Sequence, residues 1–149
     1  MNIDSKQVQK LLISDFHGRL GHKLCVNNIY LYDHESDFIS VSNNNLVTEV
    51  EIKVSRFDYF QDFNKESKHS KLQLMNDLNG IPNYFYYCFP ENLASEEEIP
   101  EYAGLIVIKQ TGMNKYIKMI KKAPELHNLP ILTERFEEIA IKLFNKLYL

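Results

Sequence analysis

The chain has 149 residues, of which 44% are hydrophobic and 25% are charged, and its formal net charge is −3. These values are typical of one globular domain with a hydrophobic core, so we predict a single domain over residues 1–149. The net acidity disfavours a protein that coats nucleic acid without selectivity, and two cysteines are too few for a disulfide framework.

The sequence does not indicate a membrane protein. No apolar segment approaches the ~20 residues of a membrane-spanning helix, and the polar start MNIDSKQVQK does not resemble a signal peptide. We therefore expect a cytoplasmic protein that makes no use of a membrane. Charge is distributed unevenly, because residues 109–122 carry lysines without acids while acids concentrate in residues 91–101. Such a distribution can present a basic face to a phosphate backbone, although for any single stretch a solvated helix face is the favoured interpretation.

The first half of the chain predicts a helix followed by three strands. Apolar residues at helical spacing predict an amphipathic helix over roughly residues 4–19. Apolar, β-prone segments predict strands over 28–32, 37–42 and 46–54. The polar turn Ser42-Asn43-Asn44-Asn45 joins the last two strands as a hairpin.

The second half predicts further helices and strands in alternation. We expect a long polar helix over 57–78, strands over 84–89 and 103–108, and a short lysine-bearing helix over 112–122. A last amphipathic helix, beginning near Thr133, is expected to pack on the core or on a partner. The order α-β-β-β-α-β-β-α-α predicts an α/β (α+β) fold, with a central mixed sheet flanked by helices and extra C-terminal helices.

Candidate catalytic residues lie in the second and third predicted strands. Glu49, Glu51 and Lys53 share one face of the third strand, because successive side chains point to opposite faces. Asp37 opens the neighbouring strand, so antiparallel pairing brings it near Glu51 or Lys53. Two carboxylates suit a hard cation such as Mg²⁺, and the backbone carbonyl of Ile52 can add a ligand. Such a centre can activate water against a phosphodiester, with Lys53 orienting the water, helping to deprotonate it, or stabilising the transition state.

The same alternation has a simpler interpretation. Glutamate and lysine that alternate along a strand are typical of an exposed face, where a cross-strand ion pair contributes less than ~1 kcal/mol. Taken alone, the alternation favours this surface interpretation. The longer motifs around these residues distinguish between the metal-site interpretation and the surface interpretation.

Five motifs occur in a fixed order over residues 35–108, about half of the chain. They are EVEIKVSR, FDYFQDF, KESKH, PNYFYYCFP and PEYAGLIVI. In this order they resemble the MmcB-like family of the PD-(D/E)XK nuclease superfamily. The resemblance implies a restriction-endonuclease-like αβββαβ core, with Asp37 in place of the aspartate of the family's "PD" and Ser36 in place of its proline. Glu51 and Lys53 take the place of the "(D/E)xK" pair.

The resemblance also implies an activity and a substrate. Proteins of this superfamily are mostly Mg²⁺-dependent nucleases, so we expect a phosphodiester hydrolase that uses Mg²⁺ or Mn²⁺ on DNA. Its role would lie in repair, recombination, or phage or mobile-element DNA metabolism. Some relatives carry an additional acid in the first helix, for which Asp15 is the nearby candidate. Glu35 or Glu49 is an alternative additional ligand, and the number of metal ions stays open.

Basic residues after the third strand are candidates for binding the DNA backbone. Arg56, Lys65, Lys68 and His69 would hold phosphates through charge-assisted hydrogen bonds. Their alternative role is to form ion pairs with the acids of the same helix, Asp58, Asp62 and Glu66.

The same sequence features fit a second function. A nuclease-like module without activity could bind DNA or a protein partner, and a homodimer or a partner could form through the C-terminal helix.

Overall fold

The computed structural model describes residues 1–64, 72 and 78–149. The helices and strands, numbered along the chain, are α1 (Ser5–Ile13), β1 (Leu24–Ile29), β2 (Ser36–Val41), β3 (Val47–Ile52), α2 (Arg56–Gln61), β4 (Tyr84–Pro90), β5 (Gly104–Thr111), β6 (Asn114–Lys121) and α3 (Thr133–Tyr148). A π-helical turn (Ser14–Arg19) continues α1, and 3₁₀ turns occur at Asp62–Asn64, Leu78–Gly80 and Glu96–Glu98.

Within the described residues, six strands form one mixed sheet in the order β1-β2-β3-β4-β5-β6. The strands β1, β2 and β3 form an antiparallel meander. The strand β4 runs parallel to β3, β5 runs parallel to β4, and β6 returns antiparallel to β5. A parallel pair needs a long connection between its strands, and the segment that contains α2 provides it between β3 and β4. The predicted mixed sheet with flanking helices is therefore present.

Several predicted elements have different ends in the structure. The first strand spans Leu24–Ile29 rather than 28–32, since the chain leaves the extended conformation after Ile29. The helix predicted over 57–78 begins with α2 at Arg56, where the Ser55 side chain caps it by accepting a hydrogen bond from the Asp58 N–H. Of the rest of that predicted helix, residues 65–71 and 73–77 lie outside the described residues.

The helix predicted over 112–122 is wrong, because this segment contains β6. Gly112 has a φ of 61°, a conformation that glycine adopts without strain, and it reverses the chain after β5. The two strands then pair antiparallel from Thr111 and Asn114 to Leu105 and Lys121. The lysines of this segment lie along a strand at the edge of the sheet. Among the described residues, α3 alone remains of the predicted C-terminal helices.

Hydrophobic residues cover both faces of the sheet. On one face, α1 packs Val8 and Leu12 against strand residues that include Phe38, Val50 and Ile106. The opposite face carries two clusters. One is aromatic and contains Tyr59, Phe85, Tyr87 and Phe89. The other surrounds Ile139 of α3 and contains Val26, Ile39 and Val41. None of the helices in the described part of the chain combines the length and apolar composition needed to cross a bilayer.

Gly104 is expected to be essential for the packing of β5. A Cβ atom at this position would lie 2.4 Å from the ring of Tyr86 and 2.6 Å from the backbone nitrogen of Ala123. Because that backbone atom cannot rotate away, we expect Gly104→Ala to lower the free energy of unfolding by roughly 1–3 kcal/mol, as measured by denaturant unfolding. Gly18→Ala is the control, since no described atom lies within 4 Å of its Cβ position. Equal effects of the two substitutions would contradict this account.

Candidate metal centre

Asp37 and Glu51 meet at the end of the β2–β3 hairpin. The register pairs Phe38 with Val50, so the next pair along the ladder consists of Asp37 and Glu51, on the opposite face of the sheet. The Asp37 Oδ2 atom accepts a hydrogen bond of 2.8 Å from the backbone N–H of Ile52. The two carboxyl groups are within hydrogen-bonding reach of each other. The structure therefore brings together the two acids that the sequence places across the hairpin.

A buried glutamine of α1 fixes the start of β2. The Gln9 Nε2 atom donates hydrogen bonds to the Asp37 carbonyl oxygen at 2.9 Å and to the Asn28 Oδ1 atom at 3.1 Å. The first helix thus supports the candidate centre through an amide rather than an acid. Asp15, the acid considered in that region, forms an ion pair with Arg19 at 2.6 Å.

The Asp37 carboxyl group is electrostatically unfavourable when ionised. Burial and the negative charge of Glu51 raise the pKa of Asp37 to about 7, although the Ile52 N–H and the charge of Lys53 oppose the shift. Two adjacent carboxylates of this kind repel each other in a partly desolvated site. A bound cation would relieve that repulsion.

Lys53 lies between two carboxylates immediately after β3. Its Nζ atom is 3.5 Å from Glu51 Oε2 and 3.2 Å from Asp62 Oδ1, and only 12% of its side chain is exposed. Its backbone N–H donates to the Cys88 carbonyl oxygen at 3.0 Å, which fixes the residue against β4. The amine is therefore held in one place rather than extended into solvent.

Asp62 is a member of this site that sequence reasoning missed. It is 1% exposed, so it does not lie on a solvated face of the helix, and the predicted partners Lys65, Lys68 and His69 lie outside the described residues. Its Oδ2 atom accepts a hydrogen bond of 2.7 Å from the Tyr87 hydroxyl, and Oδ1 contacts Lys53. The parallel register places Tyr87 beside Glu51 on the same face of the sheet. The pattern of the sequence gives the spacing within α2 but not which residue at its end turns inward.

Glu49 and Glu35, the two alternative additional ligands, differ in their surroundings. Glu49 is fully buried, and its Oε2 atom accepts hydrogen bonds of 2.7 Å from both His34 Nε2 and Ser36 Oγ. Glu35 is exposed and lines the same cleft as Asp37.

The candidate centre opens into a cleft of about 400 Å³. Asp37, Glu51, Ile52 and Lys53 line it, and the described residues that complete its wall include Glu35, Asp58 and Asp62. The described wall is therefore predominantly acidic. The predicted additional phosphate contacts Lys65, Lys68 and His69 lie outside the described residues.

Arg56, the first predicted phosphate contact, already has a carboxylate partner. Its two Nη atoms reach the Glu98 oxygens at 3.2 and 2.9 Å, and Nη1 also donates to the Leu93 carbonyl oxygen. The guanidinium lies 4.9 Å from the centre of the Phe60 ring. These hydrogen bonds from Arg56, together with one from the Ser95 backbone N–H, lower the pKa of Glu98 to about 2. Arg56 thus connects α2 to the acidic loop.

A solved structure from Silicibacter pomeroyi has a similar fold. It is described as the SPO1766 protein of unknown function, and the comparison gives a TM-score of 0.64 at 14% sequence identity. The similarity covers 99% of this chain and 91% of the other. No family model matches the chain, and no curated protein matches its sequence. At 14% sequence identity, this similarity shows a shared fold alone.

Asp37→Asn is expected to stabilise the metal-free protein above neutral pH. Because the folded state raises the pKa of Asp37 from 3.8 to about 7, its ionisation costs stability as the pH rises through that interval. Asparagine removes the charge but keeps an oxygen for the Ile52 N–H. We expect a gain of roughly 1–3 kcal/mol at about pH 8 and little change at about pH 3, measured by denaturant unfolding.

Asp58→Asn provides the control for this prediction. Asp58 also lines the cleft but is exposed, so its replacement should leave stability nearly unchanged at both pH values. A loss of stability in Asp37→Asn at the higher pH would contradict the proposed repulsion.

Proposed function

We propose that the protein is a metal-dependent phosphodiesterase that cleaves DNA, with Asp37 and Glu51 as metal ligands and Lys53 as the catalytic amine. The observation that carries this proposal is the convergence of these three side chains at one end of β3, within an open cleft. An exposed ion-pair ladder would not require Glu51 to be 2% exposed and Lys53 to be confined between two acids.

The donor set fits a hard divalent cation. Asp37 and Glu51 provide carboxylate oxygens, and Ile52, whose carbonyl can add a third oxygen, lines the same cleft. Oxygen ligands of this kind suit Mg²⁺, and Mn²⁺ accepts them as well. When bound, the cation would supply Lewis acidity toward a phosphate oxygen and a more acidic water.

Lys53 would contribute positive charge beside the scissile phosphate. Its contacts with Glu51 and Asp62 hold the amine at the cleft wall without a further ordering cost when substrate binds. From this position it can donate a hydrogen bond to a phosphate oxygen or orient the attacking water. Asp62, itself held by the Tyr87 hydroxyl, is a positioning residue for that amine.

DNA as the substrate class rests on the resemblance to the MmcB-like family, which implies a particular order of elements. From α1 to β4 the chain runs α-β-β-β-α-β, with Asp37 on the second strand and Glu51 at the end of the third. This is the arrangement that the resemblance to the MmcB-like family implies. Roles in repair, recombination or mobile-element DNA metabolism belong to the same proposal.

Phosphate binding requires cations beyond the described wall of the cleft. Lys65, Lys68 and His69 follow α2 in the sequence and remain the proposed contacts. Arg56 can join them only by exchanging its Glu98 partner for a phosphate, since its guanidinium is already bound at both Nη atoms.

Lys53→Ala is expected to abolish Mg²⁺-stimulated DNA cleavage while the chain stays folded. Removing a charge that acts on the transition state should lower the rate by roughly 10²–10³-fold, measured as cleavage of a labelled DNA duplex and of a single strand. Lys142→Ala on α3 is the matched control and should cleave at the wild-type rate. Circular dichroism confirms folding, and cleavage that persists in folded Lys53→Ala would refute the assignment.

The alternative function is a nuclease-like module that binds DNA or a protein partner without cleaving. The observation that favours it is the exposed apolar surface of α3, formed by Ile141, Phe144, Leu147 and Tyr148. Calorimetry with Mg²⁺ or Mn²⁺ discriminates between the two functions. Mg²⁺ binding by the wild-type protein that is lost in Asp37→Asn supports the enzyme. A wild-type protein that binds neither Mg²⁺ nor Mn²⁺ supports the module.

A further inference from the structure

We propose that His34, Glu49 and Glu51 form a second divalent-cation site, which shares Glu51 with the proposed catalytic centre and prefers Mn²⁺ or Zn²⁺ to Mg²⁺. The inference rests on the proposed function only because the two sites share the carboxylate of Glu51. It assigns a ligand role to His34, which nothing in the sequence motifs distinguishes.

The geometry of the three residues fits one ion. His34 lies between β1 and β2. Glu49 and Glu51 are two residues apart on β3, so both carboxylates lie on the same face of the sheet. Each residue offers one ligand atom, and these atoms lie within 4.8 Å of one another. Ligands on opposite sides of an ion lie about 4.2 Å apart, twice a ~2.1 Å bond. A small side-chain rotation would therefore bring all three into coordination.

The Glu49 carboxylate provides independent support for a ligand at this place. It is fully buried, and both hydrogen bonds that it receives, from His34 and Ser36, end on Oε2. Its Oε1 atom is buried and has no hydrogen-bond partner among the described residues. A buried carboxylate oxygen without a partner carries a desolvation cost, which a cation would offset. The His34 side chain, 20% exposed, connects this position to solvent.

The ligand types determine which ion the site takes. An imidazole nitrogen with two carboxylates suits Mn²⁺ and Zn²⁺, whereas Mg²⁺ is bound in proteins mainly by oxygen. The oxygen donors of Asp37, Glu51 and Ile52 would suit Mg²⁺. The two positions would therefore differ in selectivity although they share Glu51. Ions about 3.5–4 Å apart that share ligands are a recurrent arrangement in phosphodiester hydrolysis.

Titration of the metal-free protein with each ion tests the second site. We expect wild-type protein to bind two Mn²⁺ ions and one Mg²⁺ ion by calorimetry, with spin coupling between the Mn²⁺ ions in electron paramagnetic resonance. His34→Ala and Glu49→Gln should each weaken one Mn²⁺ ion by on the order of 10- to 100-fold or more, and the coupling should disappear. Their Mg²⁺ binding should stay unchanged.

Three further variants separate this proposal from the proposed function. His17→Ala replaces an exposed histidine and should retain both Mn²⁺ ions. Asp37→Asn should lose the Mg²⁺ position and keep the Mn²⁺ ion beside His34. Lys53→Ala should lose cleavage but keep both ions. A wild-type protein that binds two Mn²⁺ ions without cleaving DNA would refute the nuclease and leave the second site intact.

Two results would overturn the second site. One is a wild-type protein that binds a single Mn²⁺ ion which Asp37→Asn abolishes. The other is unchanged Mn²⁺ binding in Glu49→Gln, whose amide oxygen still accepts hydrogen bonds from His34 and Ser36. Either of these two results would mean that His34, Ser36 and Glu49 have a purely structural hydrogen-bonding role. If His34→Ala proves unstable, the Mn²⁺ binding of Glu49→Gln decides the question.

Discussion

The structure depends on how one face of the sheet accommodates three buried carboxylates, Glu49, Glu51 and Asp62. Burying a charge is costly unless it is paired and hydrogen-bonded. Each of the three has a specific partner: His34 for Glu49, Lys53, two residues along the chain, for Glu51, and both Lys53 and the Tyr87 hydroxyl for Asp62. The β2–β3 register, the capped start of α2 and the parallel placement of β4 are the features that bring these partners together.

This constraint explains which parts of the site were predictable from sequence. Alternation along β3 and a hairpin turn suffice to place Asp37 opposite Glu51, because both follow from local backbone geometry. The inward position of Asp62 depends on the packing of α2 against β4, and the role of His34 depends on the path of the loop before β2. Residues 114–121 became a strand because β5 offered an edge and Gly112 allowed the turn, neither of which a lysine-rich sequence specifies.

The acidic loop after β4 modifies the predicted basic surface. The acids of residues 91–101 are far from Arg56 in the sequence, but in the fold the Glu98 carboxylate contacts the guanidinium of Arg56. The backbone carbonyl oxygen of Glu98 accepts a hydrogen bond from the Tyr59 hydroxyl. The Tyr59 ring packs edge-on against Tyr87 at 5.0 Å. One contact thus joins the acidic loop, α2 and the aromatic cluster that supports Asp62. The positive charge of Arg56 stabilises this junction, and it would reach a phosphate only in competition with Glu98.

Because the described wall of the cleft is negatively charged, the proposed metal would assist substrate binding as well as catalysis. The described wall presents Glu35, Asp37, Glu51, Asp58 and Asp62 against the single amine of Lys53, which would repel a phosphate backbone at close range. A divalent cation on Asp37 and Glu51 would reduce that negative potential at the point where, on the proposed function, a scissile phosphate approaches. On the proposed function, substrate affinity and catalysis therefore depend on the same ion. On the same proposal, the cost of crowding carboxylates in the metal-free fold would favour the binding of a cation at this centre.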